Sequence, residues 1–252
     1  MLTTLPVIEP VTSRLRTPGG ELDALEIKLL GEPRGLVLLL CAAGRLSIDA
    51  CETMNAFAEH GYATTAVDLA ANSQDDDDEV IESLRAVVNR AIAGGWEPGQ
   101  IGLVGYRTGG RAALLGAMSM ELGAAVSVSP TEIGTINPSS QNGDIRTPWF
   151  GVFGDRDPSV SPAQILALRG HLHGRSHAYV SVVSYDAGAE FFRDSGDPSM
   201  HAVAFDSWQR TVEWLNLRVA PRLTPRAVAW REKTCTAERQ TIAQLEPKGD
   251  SQ

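Results

Sequence analysis

The chain has 252 residues, of which 43% are hydrophobic, 21% charged and 6% aromatic, values that suit one large α/β domain. Its formal net charge of −9 speaks against the basic face that a nucleic-acid partner requires. No apolar run approaches the ~20 residues of a membrane helix.

The start, "MLTTLPVIEPVTSRL", has no basic head followed by an apolar core and does not read as a secretory leader. Cys41, Cys51 and Cys235 form neither a paired framework nor a metal-ligand spacing, so reduced thiols in a cytoplasm are expected. In chain order, "LDALEIKLL" (22–30) reads as an edge strand. The continuous apolar run "GLVLLLC" (35–41) reads as a strand buried on both faces. A helix over 46–60, ended by Gly61, and a strand "YATTAVDLA" follow.

The acidic block Asp75 to Asp78 precedes a stretch in which Val80, Leu84, Val87, Val88 and Ile92 recur at helical spacing. Its carboxylates suit the amino-terminal end of that helix on a solvated face, and they lack the glycine and closing glutamate of a calcium loop. Strands over 101–106, 123–129, 147–155 and 178–186 alternate with helices over 109–121, 162–172 and 200–219. That alternation predicts a doubly wound, mostly parallel sheet flanked by helices, in one domain over 1–220. After Pro221 the chain turns polar, with scattered Trp230, Ile242 and Leu245. The segment 221–252 reads as a loosely packed tail or an oligomer contact.

The stretch "GLVGYRTGGRAALLGAM" (102–118) carries the chemistry. A buried strand, a glycine-rich turn and a helix opening on small residues form the setting in which α/β-hydrolases place a nucleophile, at the centre of G-x-[Ser/Cys]-x-G. Here the centre of Gly105-Tyr106-Arg107-Thr108-Gly109 is an arginine, which offers only donors and is never a nucleophile.

Taken with its other motifs, the chain resembles the dienelactone hydrolases, small α/β-hydrolases with a Cys-Asp-His triad and no large cap domain. The resemblance spans roughly residues 20 to 219. "GYRTGG" is similar to the family's "GYCLGG", with Arg107 at the nucleophile position. "GDRDPSVSP" is similar to its acid turn and sets Asp157 at the triad acid. "AGAEF" is similar to its histidine loop and sets Ala189 at the base. The resemblance also implies that Cys41 stands where the family's first-loop glutamate does, and that Arg193 corresponds to an arginine holding the substrate carboxylate. A second substrate arginine finds only Asn72.

Acyl transfer needs a nucleophile, a base and oxyanion donors, so hydrolysis by the family mechanism is not expected. Among the histidines (60, 171, 173, 177 and 201) only His201 is placed within reach of the site edge. Cys41 reads as a buried strand-end thiol with no base, and Asp68 as a loop brace. Two roles for Arg107 stand open. It pairs with Asp157 across the space the histidine would fill, or it points upward with Arg193 to grip an anion.

Two classes of function follow. One is a cofactor-free isomerase, epimerase, cyclase or lyase acting on a small anionic or carbonyl-containing metabolite. There Arg107 stabilises developing charge, Asp157 or Glu190 moves a proton, and Cys41, Tyr106, Thr108 and Arg193 contact the substrate. The other is a non-catalytic binding or interaction protein. Neither class calls for a metal, a nucleic acid or a membrane, and a monomer or homodimer is expected. The polar stretch "EIGTINPSSQNGDIRTP" after Thr131 reads as a lid or a long loop.

Overall fold

A computed structural model describes residues 7–42, 44–69, 76–135, 144–175, 178–193 and 198–234. Eight strands form one sheet: β1 (Val11–Thr17), β2 (Gly20–Ile27), β3 (Gly35–Leu40), β4 (Tyr62–Val67), β5 (Ile101–Tyr106), β6 (Ala124–Val128), β7 (Trp149–Gly154) and β8 (Val180–Tyr185). Their spatial order is β1-β2-β4-β3-β5-β6-β7-β8. The pairs β1–β2 and β2–β4 are antiparallel, and every later pair is parallel. This is the α/β-hydrolase fold, as the sequence predicts.

The central strands form because their apolar runs have no solvated side: every residue of β3, β6 and β7 is buried. Helices cover both faces. One core cluster joins α2 (Asp77–Ala93), α3 (Thr108–Ser119) and α4 (Pro162–Arg175) to the sheet, through Leu84, Val87, Leu114 and Leu168. The other joins α1 (Leu46–Glu59) and α5 (Pro198–Arg218) to the opposite face, through Met54, Phe57, Trp214 and Leu215. Strand order reverses about β3, whose neighbours are β4 and β5. The crevice beyond the carboxyl ends of β3 and β5 is therefore where such sheets bind ligands.

Two sequence readings change. The edge strand on this side is β1, which the sequence does not announce, and the segment 22–30 that reads as an edge belongs to β2, one place further in and ending at Ile27. Only Leu15 of β1 is buried while Arg14 and Arg16 face out, so it carries almost no apolar signal. In the acidic block, Asp76 caps α2 by accepting from the Asp78 backbone N–H at 3.0 Å. Asp77, however, is not merely solvated: both its oxygens accept from Arg111 Nη2, at 2.7 and 2.8 Å. Asp75 lies outside the described residues.

Beyond Pro221 the described chain forms a further helix, over 225–234, on which Trp230 is exposed. The chain leading into it is stitched down. Arg222 N–H donates to the Arg34 carbonyl at 2.8 Å, and its guanidinium lies 5.0 Å from the Trp96 ring. Cys235, Ile242 and Leu245 lie outside the described residues, as do His177 and Asn72. Of the stretch considered as a lid, 136–143 also lie outside them, while Ile133–Thr135 form a single 3-10 turn. Among the described residues no helix is long and apolar enough to cross a membrane.

Candidate functional site

The elbow is built by close approach. A Cβ on Gly105 would lie 2.0 Å from the Gly109 carbonyl oxygen, and one on Gly109 2.0 Å from that of Leu40. Only glycine at both places lets α3 start directly behind β5, beside the end of β3. Between them Arg107 has φ 57° and ψ −119°, a conformation costing a non-glycine residue about 1–3 kcal/mol. Its N–H donates to the Val128 carbonyl, and its own carbonyl accepts from Arg111 N–H to open the helix.

The Arg107 side chain reaches across to the acid loop. Nη1 donates to Asp157 Oδ2 at 2.5 Å, to Ser129 Oγ at 2.8 Å and to the Ser129 carbonyl at 3.2 Å. Nη2 donates to Ser159 Oγ at 3.3 Å. Asp157, with a side chain only 3% exposed, also accepts from Ser129 Oγ at 2.8 Å. Its other oxygen accepts from the N–H and hydroxyl of Ser159, at 2.8 and 2.6 Å. Burial alone would raise this carboxyl's pKa, but donation from Ser159, then Ser129 and Arg107, outweighs it and holds the group below the ordinary carboxylate range. Of the two roles open to Arg107, the structure shows the pairing with Asp157.

The pairing extends outward. Arg107 Nε lies 3.7 Å from Glu190 Oε1, and Glu190 Oε2 accepts from Arg193 Nε. Arg193 places its two terminal nitrogens on the two oxygens of Asp49, at 2.9 and 2.6 Å. Arg45 holds the same carboxylate through Nε and Nη2, both at 2.8 Å. Donation from Arg193 outweighs desolvation and, with Arg45, drives the Asp49 carboxyl far below its usual range. Asp49 in turn raises the pKa of Arg193. Three carboxylates and three guanidiniums thus run from the acid loop, across the elbow, to the start of α1.

The remaining sequence candidates fall around this line. Cys41 is 5% exposed, its thiol pushed up to about 12, by burial first and then by Asp68 and Asp49. That leaves it packed in the core rather than open to a substrate. Tyr106 packs on Phe192 with ring centroids 4.9 Å apart, and burial raises its hydroxyl pKa. Thr108 opens α3. Ala189 is partly buried in the turn after β8, while Glu190 beside it is exposed. His201 is exposed on the first turns of α5. Asp68 does brace a loop: its Oδ2 accepts from Gly44 N–H at 2.6 Å.

Sequence reasoning missed Ser129, Ser159, Asp49 and Arg45. Asp157-Pro158-Ser159 is readable as an aspartate-led turn, and Arg45 with Asp49 as an i,i+4 pair. Ser129 offers no local signal.

The dienelactone hydrolase family model matches residues 48–218. Among curated proteins, one from Escherichia coli strain K12 named "Putative carboxymethylenebutenolidase" is 32% identical over 146 residues, covering 55% of this chain and 54% of its own. A protein of the same name from Salmonella typhimurium is 28% identical over 145 residues, with the same two shares. The chain thus spans about half the length of the curated relatives it matches. Among solved structures, a "Putative Dienelactone Hydrolase" from Klebsiella pneumoniae subsp. pneumoniae MGH 78578 aligns with TM-score 0.65 at 21% identity, covering 84% of this chain and 99% of that one. The Pyrococcus furiosus esterase Pf2001 aligns with TM-score 0.65 at 16% identity, covering 84% and 93%. With the fold, the elbow and the acid turn in the order that family requires, the chain belongs to the dienelactone hydrolase family.

Proposed function

We propose that this chain is a non-hydrolytic member of its family, a binding protein whose former reaction centre has become a structural clamp. The observation that carries the reading is the residue at the elbow. Arg107 cannot attack a carbonyl, Ala189 takes no proton, and the cation fills the approach to Asp157. The anionic ligand expected from the sequence would have to draw Arg193 away from Asp49, against two charge-assisted bonds already made. The test is hydrolysis of p-nitrophenyl acetate and of an unsaturated five-membered lactone. The expected result is release no faster than with Arg107→Ala. Saturable turnover that collapses in Arg107→Ala overturns the reading.

A second reading retains catalysis without a covalent step, and one observation favours it. The Glu190 side chain is 53% exposed while standing 3.7 Å from Arg107 Nε, so a proton acceptor faces solvent beside a fixed cation. Such an isomerase or lyase would exchange a solvent proton into its substrate, and Glu190→Gln would abolish that exchange. Full exchange in Glu190→Gln removes the residue from any mechanism.

A further inference from the structure

A cavity of about 570 Å³ lies away from the elbow, on the α2 face of the sheet. It is bounded by the first halves of the parallel strands, through Leu36 and Leu38 of β3 and Ala63 of β4. That volume lies within the range of small-molecule sites, roughly 300–1,000 Å³. Its floor is apolar: Leu15, Leu36, Leu38, Ala63 and Val87 line it and are otherwise buried. Trp96 adds an aromatic wall, with the Arg222 guanidinium 5.0 Å from its ring.

The rim is charged, and its balance is the reverse of the protein's. Among the described residues that line it, Lys28, Arg90 and Arg222 stand against one carboxylate, that of Glu26, with Arg222 also 3.5 Å from Glu32, on a chain whose net charge is −9. Glu26 accepts from Ser13 Oγ at 2.7 Å. Lys28 and Arg90 stand 3.7 and 3.9 Å from it, beyond hydrogen-bond length, so Glu26 attracts both cations without using their donors. Arg90 also faces the carbonyls that end α2 and offsets their partial charge. An apolar floor beneath a cationic rim complements one kind of molecule.

We propose that this cavity is a binding site for an apolar monocarboxylate, a chain or ring of carbon carrying one carboxylate. The body lies over Leu15, Leu36 and Val87 beside Trp96, and the carboxylate meets Arg90 and Lys28 at the rim. The proposal stands independently of what the elbow does.

Titration calorimetry with octanoate on the full chain tests it, with 1-octanol as the uncharged comparison. One saturable octanoate site per chain is expected. Arg90→Glu and Lys28→Glu each weaken it by about tenfold, and octanol binds at least about tenfold more weakly. Both charge reversals alter exposed side chains, 59% and 86% accessible, so both variants are expected to fold, which their thermal melts check. Ala91→Phe, which projects a ring from α2 into the lining, removes binding. No saturable octanoate binding overturns the proposal, and so does binding that both charge reversals leave unchanged. Octanol binding as tightly as octanoate overturns the role of the cationic rim.

Discussion

Arg107 and Asp157, fifty residues apart in the chain, meet with 2.5 Å between Nη1 and Oδ2. One stands on the strained turn where this fold exposes a nucleophile, the other on the loop that supplies the triad acid. Their contact turns two halves of a catalytic layout into a bond between β5 and the loop after β7. Asp157 accepts from three further donors, the Ser129 hydroxyl and the hydroxyl and N–H of Ser159, so the pair sits inside a satisfied network, the condition under which a buried ion pair holds without a large penalty.

The acid limb of the stability curve follows from the two depressed carboxyls. Asp157 and Asp49 have folded pKa values below the unfolded value near 4. Each contributes stability that is fully present above that value and is lost as pH falls through its folded pKa. Between those limits each adds a slope of about 1.4 kcal/mol per pH unit, stability falling with acid. Urea melts from pH 2.5 to 7 on Asp157→Asn and Asp49→Asn check this. Each variant is expected to flatten the limb by about one proton, and unchanged slopes contradict the network.

Cys41 is expected to be chemically silent. With its thiol pushed up to about 12, the thiolate fraction at pH 8 is on the order of one in ten thousand, and the sulfur is buried as well. Iodoacetamide labelling followed by peptide mass mapping should leave Cys41 unmodified in the native protein and modify it in urea. Native labelling at pH 8 would show that the first loop opens.

Gly109→Ala is expected to cost about 3–5 kcal/mol, because its Cβ would fall 2.0 Å from the Leu40 carbonyl, backbone that has nowhere to move. Gly170→Ala, where nothing lies within 4 Å, serves as the tolerant comparison and is expected to be neutral or slightly stabilising, being inside α4. Thermal melts of the two variants read the difference directly.

What the sequence made legible followed from the physics of each element. β3, β5 and β7 are buried on both faces and announced themselves as unbroken apolar runs. β1 buries one residue of seven and reads as loop. Arg107, Asp157 and Ala189 were located because a motif order survives substitution. The pairing of Arg193 with Asp49 was not, since it bridges 144 residues and depends on where α1 packs. The cavity of about 570 Å³ beside α2 was equally silent, its lining being drawn from β1 through α2 and on to Arg222 with no shared pattern.

The central claim is that Arg107 and Asp157 are energetically one unit. A double-mutant cycle by urea denaturation at pH 7, using Arg107→Met, Asp157→Asn and the pair, measures it most directly. Arg107→Met is expected to be the costlier single change, because it strands a carboxylate 3% exposed. The double variant should be more stable than the two losses added together predict, by about 2–3 kcal/mol. Losses that add to within about 0.5 kcal/mol would show that the two groups do not hold each other, and that the arginine on the elbow is free for another task.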